Sequence, residues 1–576
     1  MSIELLFFIS FYFIGIISTL GYGFFFKNFL LSSNLNLDYG IIGIIGIFFL
    51  TLYSYLSHFF LAHGTTHNSI LLLLGIVLFL IFFRLNYNVN NSKITCLVFI
   101  LILIAFFCYK THDDFPYYHF PYTNYLTKSE IIIGVGNYDP AWRSPSSIFY
   151  FNSLFYLPFI KHNLYQIGSI LIMGYSLTAL CTKILERYKL KKIDQLFFYS
   201  LISFTFILIF FYRISEHGTD RSAQILSFIL ILEILLFFKK EQVFDTFLNK
   251  IFILGALIIS LKVFYLVYLI LLIPIIYFFS NEKYFYFTKI IKNKFLYLSI
   301  LFLFFMTMIN FFNSGCIAYP LPASCFENFD WSVTKNEVLR MKIHYENWSK
   351  AGATPNFSVD NYEKYISNLN WFTGWIDRYF FNKVSDYLLG LTLLTFIFIF
   401  TFYSKKKKKV KRLNINLLYV CLVILFLEWF YNHPTLRYGG YSLIAILIII
   451  PLSIFISKFH NDNKKLKTKV IFILFLTVLI FFYRHVDRIL YENKFYGYSP
   501  FKSVFYKIDK DHHFRVEREF DNTIKFYENC ISKNIKCENN NKLLAFKKHD
   551  RFIFVNPGNF KLEKYEGGYI YRKKQK

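Results

Sequence analysis

The stretch "YKTHDDFPYYHFPY" (109–122) follows directly on the apolar run "ITCLVFILILIAFFC" and sets Asp113 and Asp114 among His112, Tyr117, Tyr118 and His119. Two adjacent carboxylates at a low-dielectric boundary repel, which raises at least one apparent pKa. A raised pKa suits a general base working near neutral pH. The same oxygens could hold a divalent metal. The plainer alternative is that they cap the next short helix.

Four other polar stretches interrupt apolar sequence. "RISEHGTDRSAQ" (213–224) carries Arg213, Glu216, His217, Asp220 and Arg221, which either pair with one another or share a site with Asp113 and Asp114. Lys262 stands at the midpoint of "KIFILGALIISLKVFYLVYLILLIPIIYFF". An ammonium stranded in lipid costs a few kcal/mol, so Lys262 should face the aqueous surface or an anionic ligand. "YNHPTLRYGGY" (431–441) holds His433, Arg437 and Tyr438, and a guanidinium fork matches phosphate oxygens. "VGNYDPAWRSPSSIFYFNSLFYLP" (135–158) places Asp139, Trp142 and Arg143 before a Pro-interrupted aromatic stretch. That stretch reads as a helix lying in the interface, with Arg143 on an anionic headgroup or a plain phospholipid. Carboxylates on one loop and cations on others suit transfer from a lipid-phosphate donor, the cations stabilising charge as the phosphate departs.

The elements that must position these groups are membrane spans. The chain has 576 residues, 55% hydrophobic and only 17% charged, against about 25% charged in soluble domains. Runs of about 18–20 apolar residues recur, each able to cross a bilayer core. Spans are expected near 3–25, 40–61, 69–85, 94–110, 164–182, 195–212, 222–238, 250–263, 264–280, 295–312, 386–403, 414–432, 441–458 and 468–483. The first lacks the basic flank and cleavage site of a signal peptide and reads as a retained helix. The pair around Lys262 is short for two spans and long for one, so it forms either a tight hairpin or a re-entrant pair. The division is 1–110 and 164–312 transmembrane, 111–163 an outer catalytic-type loop, 313–385 an outer lobe, 386–483 transmembrane and 484–576 an outer tail. The fold class is an all-α polytopic membrane protein of about 12–14 transmembrane helices.

The formal net charge of +27 sits largely in short connectors such as "KILERYKLKK" (183–192), "KKKKKVKR" (405–412) and "KKLKTK" (464–469). That is the positive-inside pattern, and it argues against nucleic acid as a partner. Cys96, Cys108, Cys181 and Cys421 fall inside spans; Cys316, Cys325, Cys530 and Cys537 fall in the outer lobes. An even set in one compartment reads as disulfides, two local bridges being the simplest of three connectivities.

In "THDDFPYYHFPY", "EHGTDRSAQ", "LIISLKVFYL", "NSGCIAYPLP", "NHPTLRYGGY" and the late cysteine pair the chain resembles the GT-C superfamily of integral-membrane glycosyltransferases. The resemblance implies a GT-C-like fold and a catalytic carboxylate at Asp113 or Asp114. It also implies interfacial helices at 140–160 and a phosphate-facing Arg437. The donor would be a polyprenyl-phosphate-linked sugar and the acceptor a glycan, lipid or protein, with inversion at the anomeric carbon. Some members use a divalent cation, magnesium or manganese. His119, Arg143, His217, Asp220, Arg221, Lys262, His433, Arg437 and Tyr438 are the expected substrate- and phosphate-binding set. The site would face the periplasm or exterior from a bacterial inner membrane, in contact with membrane lipids. In much of the superfamily the catalytic loop follows the first span, whereas three further apolar segments precede it here.

Rival readings remain. An O-antigen-type polymerase or ligase relies on Arg and His in a late loop, where Arg340, His344 and Arg378 lie. A lipid or glycan transporter would show internal repeats and midplane charges, and neither is evident. A non-catalytic assembly protein would leave both aspartates replaceable.

Overall fold

The computed structural model describes residues 2–30, 37–216, 218–278, 288–353, 359–405, 415–460, 465–505, 515–532, 544–548, 551–555, 560–565 and 568–573. The helices are α1 (Ile3–Leu30), α2 (Tyr39–His58), α3 (Thr65–Asn86), α4 (Val89–Phe106), α5 (Phe120–Lys128), α6 (Ser147–Ser153) and α7 (Ile167–Lys189). Next come α8 (Gln195–Phe210), α9 (Asp220–Phe238), α10 (Phe244–Leu261), α11 (Leu272–Phe278), α12 (Lys294–Ser314) and α13 (Lys335–Lys350). The last are α14 (Tyr362–Ile366), α15 (Phe372–Trp375), α16 (Ser385–Phe402), α17 (Asn416–Asn432), α18 (Gly440–Phe459), α19 (Leu466–Tyr496) and α20 (Arg515–Ser532).

Among the described residues, 11 helices are long and apolar enough to cross a membrane, α15 and α16 counting as one through a π-helical join. Three shorter apolar helices, Gln195–Phe210, Val263–Phe278 and Asn416–Asn432, complete the expected set of spans. The chain has the make-up of a multi-pass membrane protein. Asp38, Asp194 and Asn293 accept the first free N–H groups of α2, α8 and α12, which fixes where those spans begin. The all-α expectation fails at the C-terminal end. There β1 (Leu544–Lys548) pairs antiparallel with β2 (Arg551–Val555), and β3 (Phe560–Tyr565) with β4 (Gly568–Lys573).

α2, α7, α8 and α9 form the centre; 94% of the apolar window of α9 is buried, against 22% of that of α3 on the rim. α1 and α3 cross at Gly21 and Gly75, where a Cβ on Gly21 would lie 1.9 Å from the Gly75 carbonyl. Small residues of this kind let two helices touch backbone to backbone.

The Lys262 segment is a hairpin. α10 ends at Leu261, Lys262 is extended (φ −157°), and Val263–Leu271 returns as a 3₁₀ helix into α11. Phe278 packs on Phe237 and Phe238 at 5.3 and 5.0 Å, and Phe237 stacks on Phe247 at 4.0 Å. The strand of chain therefore ends where α10 began. A 3₁₀ turn rises about 2.0 Å per residue against about 1.5 Å in an α-helix, so the shorter return limb spans as far as α10.

The expected interfacial stretch at 140–160 is largely packed inside the protein. Ile148, Phe149, Tyr150 and Phe151 of α6 are all buried. Its polar residues serve the fold. Ser146 donates to the Leu261 carbonyl at 2.7 Å, Ser260 to Ser147 at 2.9 Å, and Asn152 accepts the Gly168 N–H at 2.9 Å. α6 thus ties the loop after α4 to the apex of the Lys262 hairpin.

Cys316 and Cys325 form a disulfide. The expected Cys530–Cys537 pair lies outside the described residues, at Cys537 and at the Cys530 side chain.

Candidate functional site

Asp114 leads into a π-helical turn, Phe115–His119, in which Tyr118 and His119 both donate to its carbonyl. Pro116 has no N–H to donate, and the widened turn brings the Tyr118 hydroxyl back to Asp114 Oδ2 at 3.2 Å. Arg437 Nη2 meets the same oxygen at 3.0 Å, and its Nε meets Asp220 Oδ2 at 2.9 Å. Lys262 Nζ pairs with Asp220 Oδ1. Two carboxylates and two cations thus form one chain: Asp114, Arg437, Asp220, Lys262.

Each member has a local reason for its place. Asp220 opens α9, where the helix dipole favours a carboxylate. Gln224, one turn on, donates to the Arg437 carbonyl at 3.1 Å and accepts the Ser442 N–H at 3.0 Å, fixing the Arg437 loop to α9. Lys262 lies 4.2 Å from the Tyr438 ring centroid, and the Arg437 guanidinium 5.4 Å from that of Trp348 on α13. Such faces hold cations without neutralising them.

The expected carboxylate repulsion is absent because Asp113 and Asp114 diverge. Asp113 is exposed, and among the described residues nothing bonds its carboxylate. For Asp114, burial alone would raise the pKa, but the Arg437 guanidinium outweighs it and holds the group below the ordinary carboxylate range. His112 Nδ1 accepts the Asp114 N–H at 3.1 Å. That nitrogen is therefore unprotonated, and burial and Arg437 both lower the pKa of the ring. Burial takes His119 down to about 3. Asp114 Oδ2 receives all of the group's contacts, whereas Oδ1 accepts no hydrogen bond among the described residues.

Other expected members fall differently. Asp220 is no phosphate ligand: it is the carboxylate that holds both cations. Arg143 binds no headgroup. It is buried, donating to the Gly136 carbonyl at 2.9 Å and to the Tyr319 hydroxyl at 3.2 Å, and it pairs with Glu337. Arg221 makes no hydrogen bond in the cluster; Glu216 and Arg213 are the strongest charges on it. His433 packs against Phe264 and Tyr438 at 5.7 and 5.9 Å, at the rim. His217 lies outside the described residues. Arg437 and Lys262 pair with three of the four carboxylate oxygens of Asp114 and Asp220, and the described residues hold no group of three or more His, Cys, Asp or Glu able to bind a divalent metal.

Below Lys262 the hairpin, α9 and α12 enclose an apolar slot of about 210 Å³, lined by Gly255, Ile258, Tyr265, Tyr268, Ile275 and Leu296 among others. Leu269 and Ile300 on its edge are exposed on the flank of the bundle. Tyr265, which lines the slot, donates its N–H to the Lys262 carbonyl at 3.0 Å, so the slot adjoins the hairpin apex that carries Lys262.

Two contributors escaped sequence reasoning: Trp348, and the pair Arg488 and Glu492 at the end of α19, bonded to the chain just before Asp114. The last pair had a signal, since "RHVDRILYEN" (484–493) continues a helical pattern past the apolar run.

Residues 5–444 match the family described as Domain of unknown function (DUF8201), and the chain belongs to that family. No curated protein and no solved structure matches it.

Proposed function

We propose that this member of DUF8201 moves a sugar from a polyprenyl-phosphate carrier to an acceptor hydroxyl at the outer face of a bacterial inner membrane, as GT-C enzymes do. One observation carries the reading: a carboxylate with one oxygen anchored and the other free of hydrogen bonds among the described residues stands beside two cations, one of them at the apex of the hairpin that lines an apolar slot. The slot suits a prenyl chain, and Lys262 with Arg437 the phosphate at its end. The acceptor oxygen attacks the anomeric carbon from the face opposite the phosphate. As that bond forms, the bond from carbon to phosphate oxygen breaks. Polyprenyl phosphate leaves with the electron pair, and the acceptor proton passes to Asp114 Oδ1.

A carboxylate held below its usual pKa is a weak base. The donor phosphate corrects this by competing for Arg437, since Asp114 then loses its main counter-charge while staying half-buried. Cations aimed at the departing phosphate stabilise the charge that grows there.

The test is transfer of labelled sugar by the protein in vesicles supplied with polyprenyl-phosphate-linked sugars. Asp114→Asn is expected to lower the rate by about 10²–10⁴, and Asp113→Asn to leave it within about twofold, since Asp113 touches nothing in the cluster. Full activity in Asp114→Asn would overturn the assignment. A deletion defect that Asp114→Asn rescues would favour a transporter.

A further inference from the structure

The apolar part of α19 ends near Tyr483, yet the helix runs on to Tyr496. Arg488 and Glu492 lie on this extension one turn apart, Arg488 Nε meeting Glu492 Oε1 at 3.0 Å. Glu492 is 1% exposed and spends its carboxylate on backbone: Oε2 accepts the Tyr109 N–H at 2.9 Å and Oε1 the Lys110 N–H at 3.0 Å. Arg488 Nη2 donates to the Lys110 carbonyl at 3.2 Å and meets Glu216 Oε1 at 2.7 Å. The Glu216 carbonyl in turn accepts the His112 N–H at 2.5 Å. Higher on the same helix, Arg484 donates to the Ile209 carbonyl at 2.6 Å and His485 Nε2 bonds the Tyr212 carbonyl at 3.1 Å.

Apart from the Arg488–Glu492 pair within the helix and the bond to Ile209 in the last turn of α8, these bonds fix one of two loops. One runs from α4 to Asp114, the other from α8 to Asp220. Those are the two carboxylates that Arg437 bridges. A buried carboxylate is expensive unless fully paired, and here the pairing beyond Arg488 goes to the backbone four and five residues before Asp114 and not to another helix. Simple docking of a span would need no such bonds.

We propose that Arg488 and Glu492 are positioning residues, which set Asp114 and Asp220 at the separation that a single guanidinium can span. The catalytic consequence rests on the transferase reading; the mechanical one does not. Glu492→Gln keeps the size of the side chain but turns one acceptor oxygen into a donor that faces a backbone N–H. Arg488→Lys keeps the charge but loses the fork to Glu492, Glu216 and the Lys110 carbonyl.

The experiment measures hydrogen–deuterium exchange and labelled-sugar transfer on the full-length protein in vesicles. Each variant should speed exchange in the segment 109–114 by about tenfold while leaving α7–α9 unchanged. Both should lower kcat by about 10–100-fold with the donor KM within about twofold, since misplacement of a reacting group costs rate more than binding. In an Asp114→Asn background neither should lower the residual rate further. Unchanged exchange in 109–114 would overturn the proposal, and so would losses that multiply with Asp114→Asn. If Glu492→Gln fails to reach the membrane, Arg488→Lys carries the same readouts. If the wild type transfers no sugar, the transferase reading falls, and exchange alone decides whether α19 holds the loop.

Discussion

Replacing Arg437 with Gln removes the one cation among the described residues that touches both Asp114 and Asp220. Breaking a fully buried pair costs about 3–5 kcal/mol, and an exposed one about 0.2–1 kcal/mol. The Arg437 and Asp114 side chains are 27% and 31% exposed and Asp220 only 10%. The cost should therefore fall between those limits, at about 2–3 kcal/mol, most of it from the Asp220 side. The sign on Asp114 then inverts. In the wild type its pKa is held below the ordinary value, so it adds stability above its unfolded pKa, lost as pH falls through the folded one. Without Arg437 the burial that remains raises the pKa, so the charged form opposes folding near neutral pH and acidification relieves it. The gap between Arg437→Gln and wild type should narrow from pH 7 towards pH 4. At pH 7, Asp114→Asn should cost the wild type up to about 1 kcal/mol, yet stabilise Arg437→Gln by about 1 kcal/mol or more. The assay is equilibrium unfolding in mixed micelles titrated with SDS. A cycle additive within about 0.5 kcal/mol, or a gap that widens on acidification, would refute the claim that Arg437 governs Asp114.

Three further outcomes follow from the contacts. A Cβ on Gly255 would meet no heavy atom within 4 Å, so Gly255→Leu should fold normally while filling the slot; the donor KM should rise about tenfold in transfer assays, a loss of about 1.4 kcal/mol of binding. Arg143→Met strands the Gly136 carbonyl and the Tyr319 hydroxyl and should cost about 2–4 kcal/mol in SDS unfolding, with the kcat of the folded fraction unchanged. Alkylation should label Cys316 and Cys325 only after reduction. Their replacement by Ser should cost about 2–3 kcal/mol, the value for a loop of about ten residues.

The spans were legible because the bilayer reads local composition, and a run of apolar residues declares itself without knowledge of its neighbours. Lys262 was legible for the same reason, being a cation at the middle of a long apolar run. The disulfide followed from an even set of cysteines in one compartment. What could not be read were choices made by distant chain. Asp113 and Asp114 are equivalent in sequence, and they are told apart by the π-helical turn and by Arg437, 323 residues away. Arg143 looks like a headgroup ligand until Glu337, 194 residues on, is seen to take it. An aromatic helix such as α6 has the same composition at an interface as in a core. Only Leu261 and Ser260, which receive and supply its serine hydrogen bonds, reveal which it is.

Asp220 teaches the most: the sequence places it in a site shared with Asp114, and the structure shows through which partners, Lys262 and Arg437, the two carboxylates meet. With Asp114 included, the cluster carries two negative and two positive charges, so it presents no net attraction to a donor at long range. A phosphate must enter by exchange, and the exchangeable contact is the weaker one, from Arg437 to the more exposed Asp114, not the one to Asp220. Under the proposed transferase reading, exchange would leave Asp114 half-buried, still ionised and without its main counter-ion, which raises its proton affinity, so donor binding itself would create the base.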